Sequence, residues 1–141
     1  MNYKWINGKE GFEEAFKVRK VVFVEEQKVP GSMERDEFDE QAHHLLVFDN
    51  NIPIATGRLF YNGKYFKLGR ICVLKQYRGM DIGRYLMKRL LEKAESEGIK
   101  RLDLDSQVSA IGFYRIFGFS EFGDVFDGAG IEHVSMVKLY D

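Results

Sequence analysis

The sequence contains little cysteine, proline or tryptophan, with one, two and one residue of each type in a chain of 141 residues. A single cysteine, Cys72, excludes an internal disulfide and argues against a structural zinc site. Cys72 lies in the apolar run 71–74, where cysteine usually behaves as a small buried hydrophobic residue, so a catalytic thiol is the minority interpretation. No metal is therefore expected.

Long apolar stretches and an excess of basic charge are also lacking. No stretch approaches the roughly 20 apolar residues needed to cross a bilayer, and residues 1–5 lack the apolar core of a signal peptide. These absences predict a cytoplasmic protein without a membrane partner. The formal net charge of −1 argues against a nucleic-acid partner, although Arg78, Arg84, Lys88 and Arg89 form a local basic patch.

The composition that remains, 45% hydrophobic and 30% charged, is typical of a globular protein large enough for a hydrophobic core. Periodicity and turn residues predict an alternating series of strands and helices, with the hairpin signal Asn62-Gly63 joining two strands and Gly98 ending a long helix. The predicted strands are 3–6, 43–49, 52–61, 65–74, 101–105, 119–126 and 133–139, and the predicted helices are 11–26, 84–97 and about 110–117. This order indicates a mixed α/β sheet with an antiparallel first half.

The acidic segment 32–40 shows little periodicity. Two interpretations stay open for it, a solvated loop or a loop of the active site.

A glycine-rich basic turn at residues 76–84 joins a predicted strand to a predicted helix. Such a turn can hold a phosphate, because Gly79 and Gly83 allow close backbone approach and the helix N-terminus adds partial positive charge. The same pattern also describes an ordinary tight connection, so the turn alone does not decide the function.

Several further blocks occur in the order found in a known family. They are residues 19–27, 44–46, 55–59, 69–73 and 77–83, followed by Gln107, Phe113-Tyr114, Gly118-Phe119 and Gly130-Ile131-Glu132-His133. Over nearly its whole length the chain resembles the GNAT-type N-acetyltransferases, and within them the ElaA-like (YjcF-like) branch. The resemblance implies one N-acetyltransferase domain over residues 1–141, with about four helices and about six to seven strands whose central pair splays apart.

The resemblance implies that acetyl-CoA is the acetyl donor and that an amine of a small molecule or peptide accepts the group directly in a ternary complex. It also allows a homodimer. Two alternatives to this function are a non-catalytic acyl-CoA sensor and a transferase for a longer acyl group.

The residues that the resemblance assigns to the coenzyme lie in two halves of the chain. They are Ile71, Cys72, Val73, Arg78, Gly79, Met80, Asp81, Ile82, Gly83, Arg84, Gln107, Ala110, Phe113 and Tyr114. Strand 70–74 should splay from strand 101–106 and pair with the pantetheine arm, and the N–H of Cys72 or Val73 should stabilise the oxyanion. Asp81 stands where the family motif has glycine. Its carboxylate would repel the pyrophosphate unless it turns away, for instance as an N-cap.

Three residues are candidates for proton transfer. The resemblance makes Tyr114 the general acid that protonates the departing thiolate, against the alternative of a core tyrosine. His133 is the leading base, since a similar histidine serves as base in the related glyphosate N-acetyltransferases; a structural role at the start of a strand is the alternative. Glu26 is a second candidate base, directly or through water, and otherwise a solvated helix-end carboxylate.

The candidate acceptor contacts are Arg19, His44, Arg58 and His133. Arg19, Arg58 and Arg70 predict either an anionic group on the acceptor or structural ion pairs with carboxylates such as Asp103 or Asp105. The acidic segment 32–40 predicts the opposite, a cationic acceptor, and the sequence leaves both open.

Overall fold

The computed structural model describes residues 1–7 and 11–141, and its strands form one sheet in the order β1-β2-β3-β4-β5-β7-β6. The strands are β1 (Asn2–Asn7), β2 (His43–Asp49), β3 (Ile52–Tyr61), β4 (Phe66–Val73), β5 (Arg101–Gln107), β6 (Ser120–Gly128) and β7 (Ile131–Leu139), and the α-helices are α1 (Phe12–Arg19), α2 (Gly31–Glu34), α3 (Ile82–Ser96) and α4 (Ile111–Ile116). The predicted mixed sheet is confirmed.

The first four strands form an antiparallel array, as predicted. The β3–β4 hairpin turns at Gly63, whose φ of 99° favours glycine, and the Asn62 side-chain oxygen accepts hydrogen bonds from the N–H groups of Lys64 and Tyr65. Both residues of the predicted Asn62-Gly63 signal therefore act in the turn.

The first helix changes its winding halfway along. The segment predicted as one helix is α-helical over α1 and continues as a π-helix over Lys20–Glu26, which ends where the Gln27 N–H donates to the Val22 carbonyl at 3.0 Å. No residue pattern in this segment predicted the wider turn. π-Helical segments often accompany functional sites, and here the segment ends beside the cleft described below.

The long helix α3 covers the centre of the sheet and begins at Ile82, two residues before the predicted start. Its buried face, with Leu86, Met87 and Leu90 fully enclosed, packs against the main core, and each such side chain contributes about 1.5–3 kcal/mol of hydrophobic stabilisation. Gly98, with φ 72°, ends the helix as predicted.

The two central strands diverge. The parallel strands β4 and β5 are paired only where Phe66–Leu68 meets Leu102–Leu104. Just beyond, β4 carries an extra residue against β3, and Arg70 adopts a left-handed φ of 51° at this bulge. The predicted splay is thus confirmed, and it leaves a backbone edge of β4 facing an open notch.

Candidate active site

A cleft of about 1000 Å³ opens at the divergence of β4 and β5. It collects most of the predicted site residues: Arg58, Ile71, Cys72, Val73, Arg78, Gly79, Asp81, Ile82, Gly83, Arg84, Gln107, Ala110, Phe113, Tyr114 and His133. Four predicted site residues, Arg19, Glu26, His44 and Met80, do not line it. Met80 instead points outward, with 62% of its surface exposed.

The backbone of β4 offers Val73 to the cleft. The Leu74 N–H donates to the Ile54 carbonyl of β3 at 2.9 Å, and backbone groups alternate in direction along an antiparallel strand. The N–H of Cys72 therefore faces β3, whereas the N–H and carbonyl of Val73 face the notch. The Val73 carbonyl indeed accepts a hydrogen bond from Arg78 Nε at 3.0 Å. Of the two predicted oxyanion donors, this geometry favours Val73.

The glycine-rich turn presents the N-terminus of α3 to the same cleft. The first helical hydrogen bond runs from the Tyr85 N–H to the Asp81 carbonyl, so the N–H groups of Ile82, Gly83 and Arg84 precede it and have no carbonyl of the helix to bind. These N–H groups and the helix dipole form an anion site. A Cβ on Gly83 would lie 3.3 Å from the Phe113 ring, so glycine lets α4 pack closely here.

Asp81 occupies the N-cap position of α3 but does not cap the helix. Its backbone is left-handed, with φ 61° and ψ 16°, and its side chain makes no capping hydrogen bond. Capping requires an extended N-cap residue, so the suggestion that Asp81 caps α3 is wrong. The carboxylate is 88% exposed and lies 3.7 Å from Arg84 Nε.

Arg78 is held by Glu26. Its two terminal nitrogens donate to the two oxygens of Glu26 at 2.6 and 2.8 Å, a bidentate pair that joins the π-helical segment to the turn. Hydrogen bonding from Arg78 lowers the pKa of Glu26. With both oxygens engaged, Glu26 is poorly placed to accept a proton from an amine.

Gln27, the residue after Glu26, contacts β5 on the other side of the notch. Its side-chain oxygen accepts a hydrogen bond of 3.0 Å from the amide of Gln107, at the end of β5. The end of the π-helical segment therefore contacts both sides of the notch.

Tyr114 and Cys72 are both protonated at neutral pH. Burial raises the pKa of Tyr114, and within the described part of the chain its hydroxyl has no hydrogen-bond partner, so it is available as a proton donor. Burial raises the pKa of the Cys72 thiol to about 12. A thiolate intermediate on Cys72 is therefore disfavoured.

His133 presents one ring nitrogen for proton transfer. Its Nδ1–H donates to the Ile131 carbonyl at 2.8 Å, which leaves the lone pair on Nε2. The ring stacks on Phe126, with centroids 5.8 Å apart and planes inclined by 22°. His133 lies opposite Gln107 in the pairing of β5 and β7.

Gly128 is a site residue that the sequence interpretation missed. A Cβ at this position would lie 2.6 Å from His133 Nδ1, so only glycine leaves room for the imidazole. The available signal was a glycine inside a strand pattern, which often marks close approach of another group.

The acidic segment is folded against three arginines rather than solvated. Arg19 donates to Glu34 and Asp39, Arg58 donates to Asp36 at 2.6 and 2.7 Å and to Asp39 at 2.7 Å, and Arg70 contacts Asp36 at 3.1 Å. We call these six residues, Arg19, Glu34, Asp36, Asp39, Arg58 and Arg70, the charge cluster. The suggested partner Asp103 pairs with Arg101 instead.

Two of the candidate acceptor contacts, Arg19 and His44, form hydrogen bonds with Asp39 of the charge cluster. Arg19 is fully buried within it, and the buried His44 donates from Nε2 to the Asp39 carbonyl at 2.9 Å. Burial would raise the pKa of Asp39, but hydrogen bonds and charge from Arg19 hold it well below its usual range. Of the three candidate acceptor contacts without a proposed catalytic role, Arg19, His44 and Arg58, only Arg58 both belongs to the charge cluster and lines the cleft.

Neither a metal cluster nor a membrane-spanning helix is present in the described ranges 1–7 and 11–141. They contain no group of three or more His, Cys, Asp or Glu side chains that could hold a metal ion. None of their helices is both long and apolar enough to cross a membrane.

A model of the acetyltransferase (GNAT) domain matches residues 10–140. The chain belongs to the GNAT acetyltransferase family. The predicted family and enzyme class are confirmed, and members of this family use an acyl-CoA as donor.

Relatives of this GNAT enzyme cover almost its whole length. It is 38% identical to the uncharacterized N-acetyltransferase YjcF of Bacillus subtilis, over 92% of this chain and 93% of YjcF. The crystal structure of Escherichia coli ElaA is 26% identical, with a TM-score of 0.89 over 98% of this chain and 99% of ElaA. An acyl-CoA N-acyltransferase from Pseudomonas aeruginosa is 25% identical, with a TM-score of 0.88 over 98% and 99% of the two chains.

Proposed function

We propose that the protein transfers an acetyl group from acetyl-CoA to an amine in a ternary complex. The observation that carries this proposal is the meeting of three features in one cleft: the free edge of β4, the N-terminus of α3 and the hydroxyl of Tyr114. A site that binds only a phosphate group would need the N-terminus of α3, but neither the free edge of β4 nor the hydroxyl of Tyr114.

The coenzyme binds along the notch in this proposal. The N–H groups of Ile82, Gly83 and Arg84 hold the pyrophosphate, and the pantetheine arm pairs with the edge of β4 as an added strand. Gln107 and Ala110 contact the arm from the side of β5, and Phe113 packs beneath it. Val73 N–H donates to the thioester oxygen and stabilises the negative charge that develops there.

Proton transfer then involves His133 and Tyr114. Nε2 of His133 takes a proton from the acceptor ammonium, and the freed amine attacks the thioester carbon to form a C–N bond. When the tetrahedral intermediate collapses, the C–S bond breaks and Tyr114 donates its proton to the leaving thiolate. The attacking nitrogen loses its second proton to solvent before this collapse, the imidazolium of His133 releases its proton to solvent, and the tyrosinate recovers one. The net products are the N-acetylated amine, CoA and one proton.

Glu26 supports the site through Arg78 in this scheme rather than acting as a base. The bidentate pair fixes the start of the glycine-rich turn, and Arg78 Nε reaches the Val73 carbonyl. Arg19 and His44 act one step further away, by holding the charge cluster that forms the wall of the cleft.

The experiment that tests this function combines coenzyme binding with a tyrosine variant. Calorimetric titration should show that acetyl-CoA binds, and Tyr114→Phe should lower kcat by about 10- to 100-fold with little change in that affinity, because the hydroxyl acts only in the transition state. Turnover is measured as CoA release in the presence of an amine panel.

A matched control is Tyr61→Phe, which removes a hydroxyl from an exposed tyrosine outside the cleft and should leave kcat unchanged. Absence of acetyl-CoA binding at millimolar concentration would end the proposal. Binding without turnover of any amine would favour the acyl-CoA sensor, and faster transfer from longer acyl-CoA donors would favour the alternative donor class.

Asp81→Gly should tighten acetyl-CoA binding by about 10-fold. Glycine removes a negative charge near the pyrophosphate, which should favour coenzyme binding. It also removes the cost of a non-glycine residue in a left-handed conformation, about 1 kcal/mol, but this stabilises the free and the bound protein alike. Calorimetric Kd values for wild type, Asp81→Gly and Asp81→Asn separate the two effects. Asparagine tolerates the left-handed backbone and lacks the charge. Weaker binding by both variants would show that the carboxylate assists the coenzyme.

A further inference from the structure

The cleft extends past the proposed catalytic pair into a further region. Its lining includes residues of α2 and the segment that follows it, of β3, and of the end of β6 and the start of β7. We call the apolar side chains of this region the acceptor wall: Met33, Phe38, Phe60, Phe126 and Ile131. Met33 and Phe126 are 52% and 40% exposed, so both can contact a ligand.

The charged residues of this region neutralise one another. Outside the glycine-rich turn, the charged residues that line the cleft are Glu34, Asp36, Arg58, Lys67, Arg70 and Asp105. Each is ion-paired: Glu34, Asp36, Arg58 and Arg70 lie in the charge cluster, and Lys67 Nζ donates to Asp105 at 2.8 Å. Three cations thus face three anions.

These ion pairs bear on the two opposite predictions of acceptor charge, an anionic acceptor from the arginines and a cationic acceptor from the acidic segment. An anionic acceptor would compete with Asp36 or Glu34 for an arginine, and a second ammonium group would compete with Arg58 or Arg70 for a carboxylate. Either exchange leaves a poorly solvated charge without its partner, which is costly. The apolar side chains remain as the surface available for recognition.

The most exposed aromatic group of the acceptor wall lies beside the proposed base. Phe126 stacks on the His133 ring, and Nδ1 of that ring is occupied by the Ile131 carbonyl. An apolar group packed on Phe126 would therefore place an attached amine close to the His133 ring, whose free nitrogen is Nε2.

We propose that the acceptor is a primary amine carried by an uncharged aromatic or branched apolar group, which packs against the acceptor wall beside Phe126. This inference rests on the proposed acetyl transfer. The wall selects the body of the acceptor, and His133 receives its proton.

The test compares four amines with the purified protein at saturating acetyl-CoA. 2-Phenylethylamine has the proposed character, phenylalanine adds a carboxylate, putrescine has two ammonium groups, and glucosamine has a neutral polar body. We expect kcat/KM for 2-phenylethylamine to exceed each of the others by at least about 10-fold, the discrimination that apolar contacts usually supply. Equal or higher kcat/KM for any of the other three would overturn the proposal.

Variants of the wall give a second readout. Phe126→Ala should lower kcat/KM for 2-phenylethylamine by at least about 10-fold, mainly through KM, and Phe126→Leu should restore most of it. Met33→Ala should also raise KM, because Met33 is the most exposed side chain of the acceptor wall. The control Phe122→Ala removes an exposed phenylalanine of the same strand, outside the cleft, and should change neither constant. Unchanged KM in both wall variants would overturn the proposal.

Calorimetry with acetyl-CoA distinguishes a failure of the proposed acetyl transfer from a failure of the proposed acceptor class. If acetyl-CoA does not bind, the proposed function fails and the acceptor class fails with it. If acetyl-CoA binds and is consumed with putrescine, glucosamine or phenylalanine as the preferred amine, only the acceptor class fails. Binding with no turnover of 2-phenylethylamine also rejects the acceptor class.

Discussion

Arg19→Met is expected to lower the free energy of unfolding by about 3–5 kcal/mol, the usual cost of removing one partner from a buried ion pair. Arg19 is fully buried and donates to both Glu34 and Asp39, whose carboxylates are also buried. Methionine approximates the length of the side chain, but it removes the cation that is hydrogen-bonded to the Glu34 carboxylate and leaves Asp39 with Arg58 alone. Urea denaturation followed by circular dichroism measures the change.

The control for this variant is Arg115→Met, which breaks an exposed pair with Glu121 and should change the free energy of unfolding little, because water screens such pairs. A loss for Arg19→Met no larger than the control would show that the charge cluster contributes little to stability.

The pH dependence of the free energy of unfolding provides a second test of the charge cluster. Because their folded-state pKa values are lowered, Asp36 and Asp39 add stability that is complete above their unfolded pKa, about 3.9, and is lost as the pH falls below it. The difference in stability between wild type and Arg19→Met should therefore shrink as the pH is lowered below about 4.

His133→Ala is expected to lower kcat by about 100- to 1000-fold with an unchanged Kd for acetyl-CoA. The imidazole is the one proposed base whose free nitrogen can face an amine, since both oxygens of Glu26 are bound to Arg78. The variant should also lose the dependence of kcat on pH near neutrality, because histidine is the side chain that normally changes charge there. Steady-state CoA release between pH 5 and 9 measures both effects.

His43→Ala is the control, since His43 is exposed at the start of β2 and does not line the cleft. It should leave kcat and its pH profile unchanged. If His133→Ala keeps the neutral-pH limb, the base is Glu26 or a water molecule, and Glu26→Gln then becomes the variant that should remove the limb.

The features that the sequence predicted well depend on short-range signals. The Asn62-Gly63 turn, the Gly98 helix end and the bounds of β2 and β3 each follow from residues within a few positions of one another. The splay of β4 and the cleft at residues 71–84 were predicted because their motifs occur as continuous blocks of a known family.

The features that the sequence did not predict depend on partners far apart in the chain. Arg58 lies 22 residues from Asp36 and Arg70 lies 34 residues from it, so no local pattern shows that the acidic segment is neutralised. The left-handed backbone of Asp81 was not predicted either. The motif showed that Asp81 replaces a glycine, but not which way its side chain points. The π-helical winding of Lys20–Glu26 has no compositional signature at all.

The short β4–β5 pairing has a consequence for how the molecule unfolds. Only three residue pairs join the array β1–β4 to the array β5-β7-β6, so backbone hydrogen bonding is weakest at the middle of the sheet. A coenzyme arm paired with the β4 edge would act as the missing length of strand between the two arrays. Ligand would then do more than stabilise the folded state by mass action: it would make the two arrays open together, and slow amide exchange on both sides of the notch.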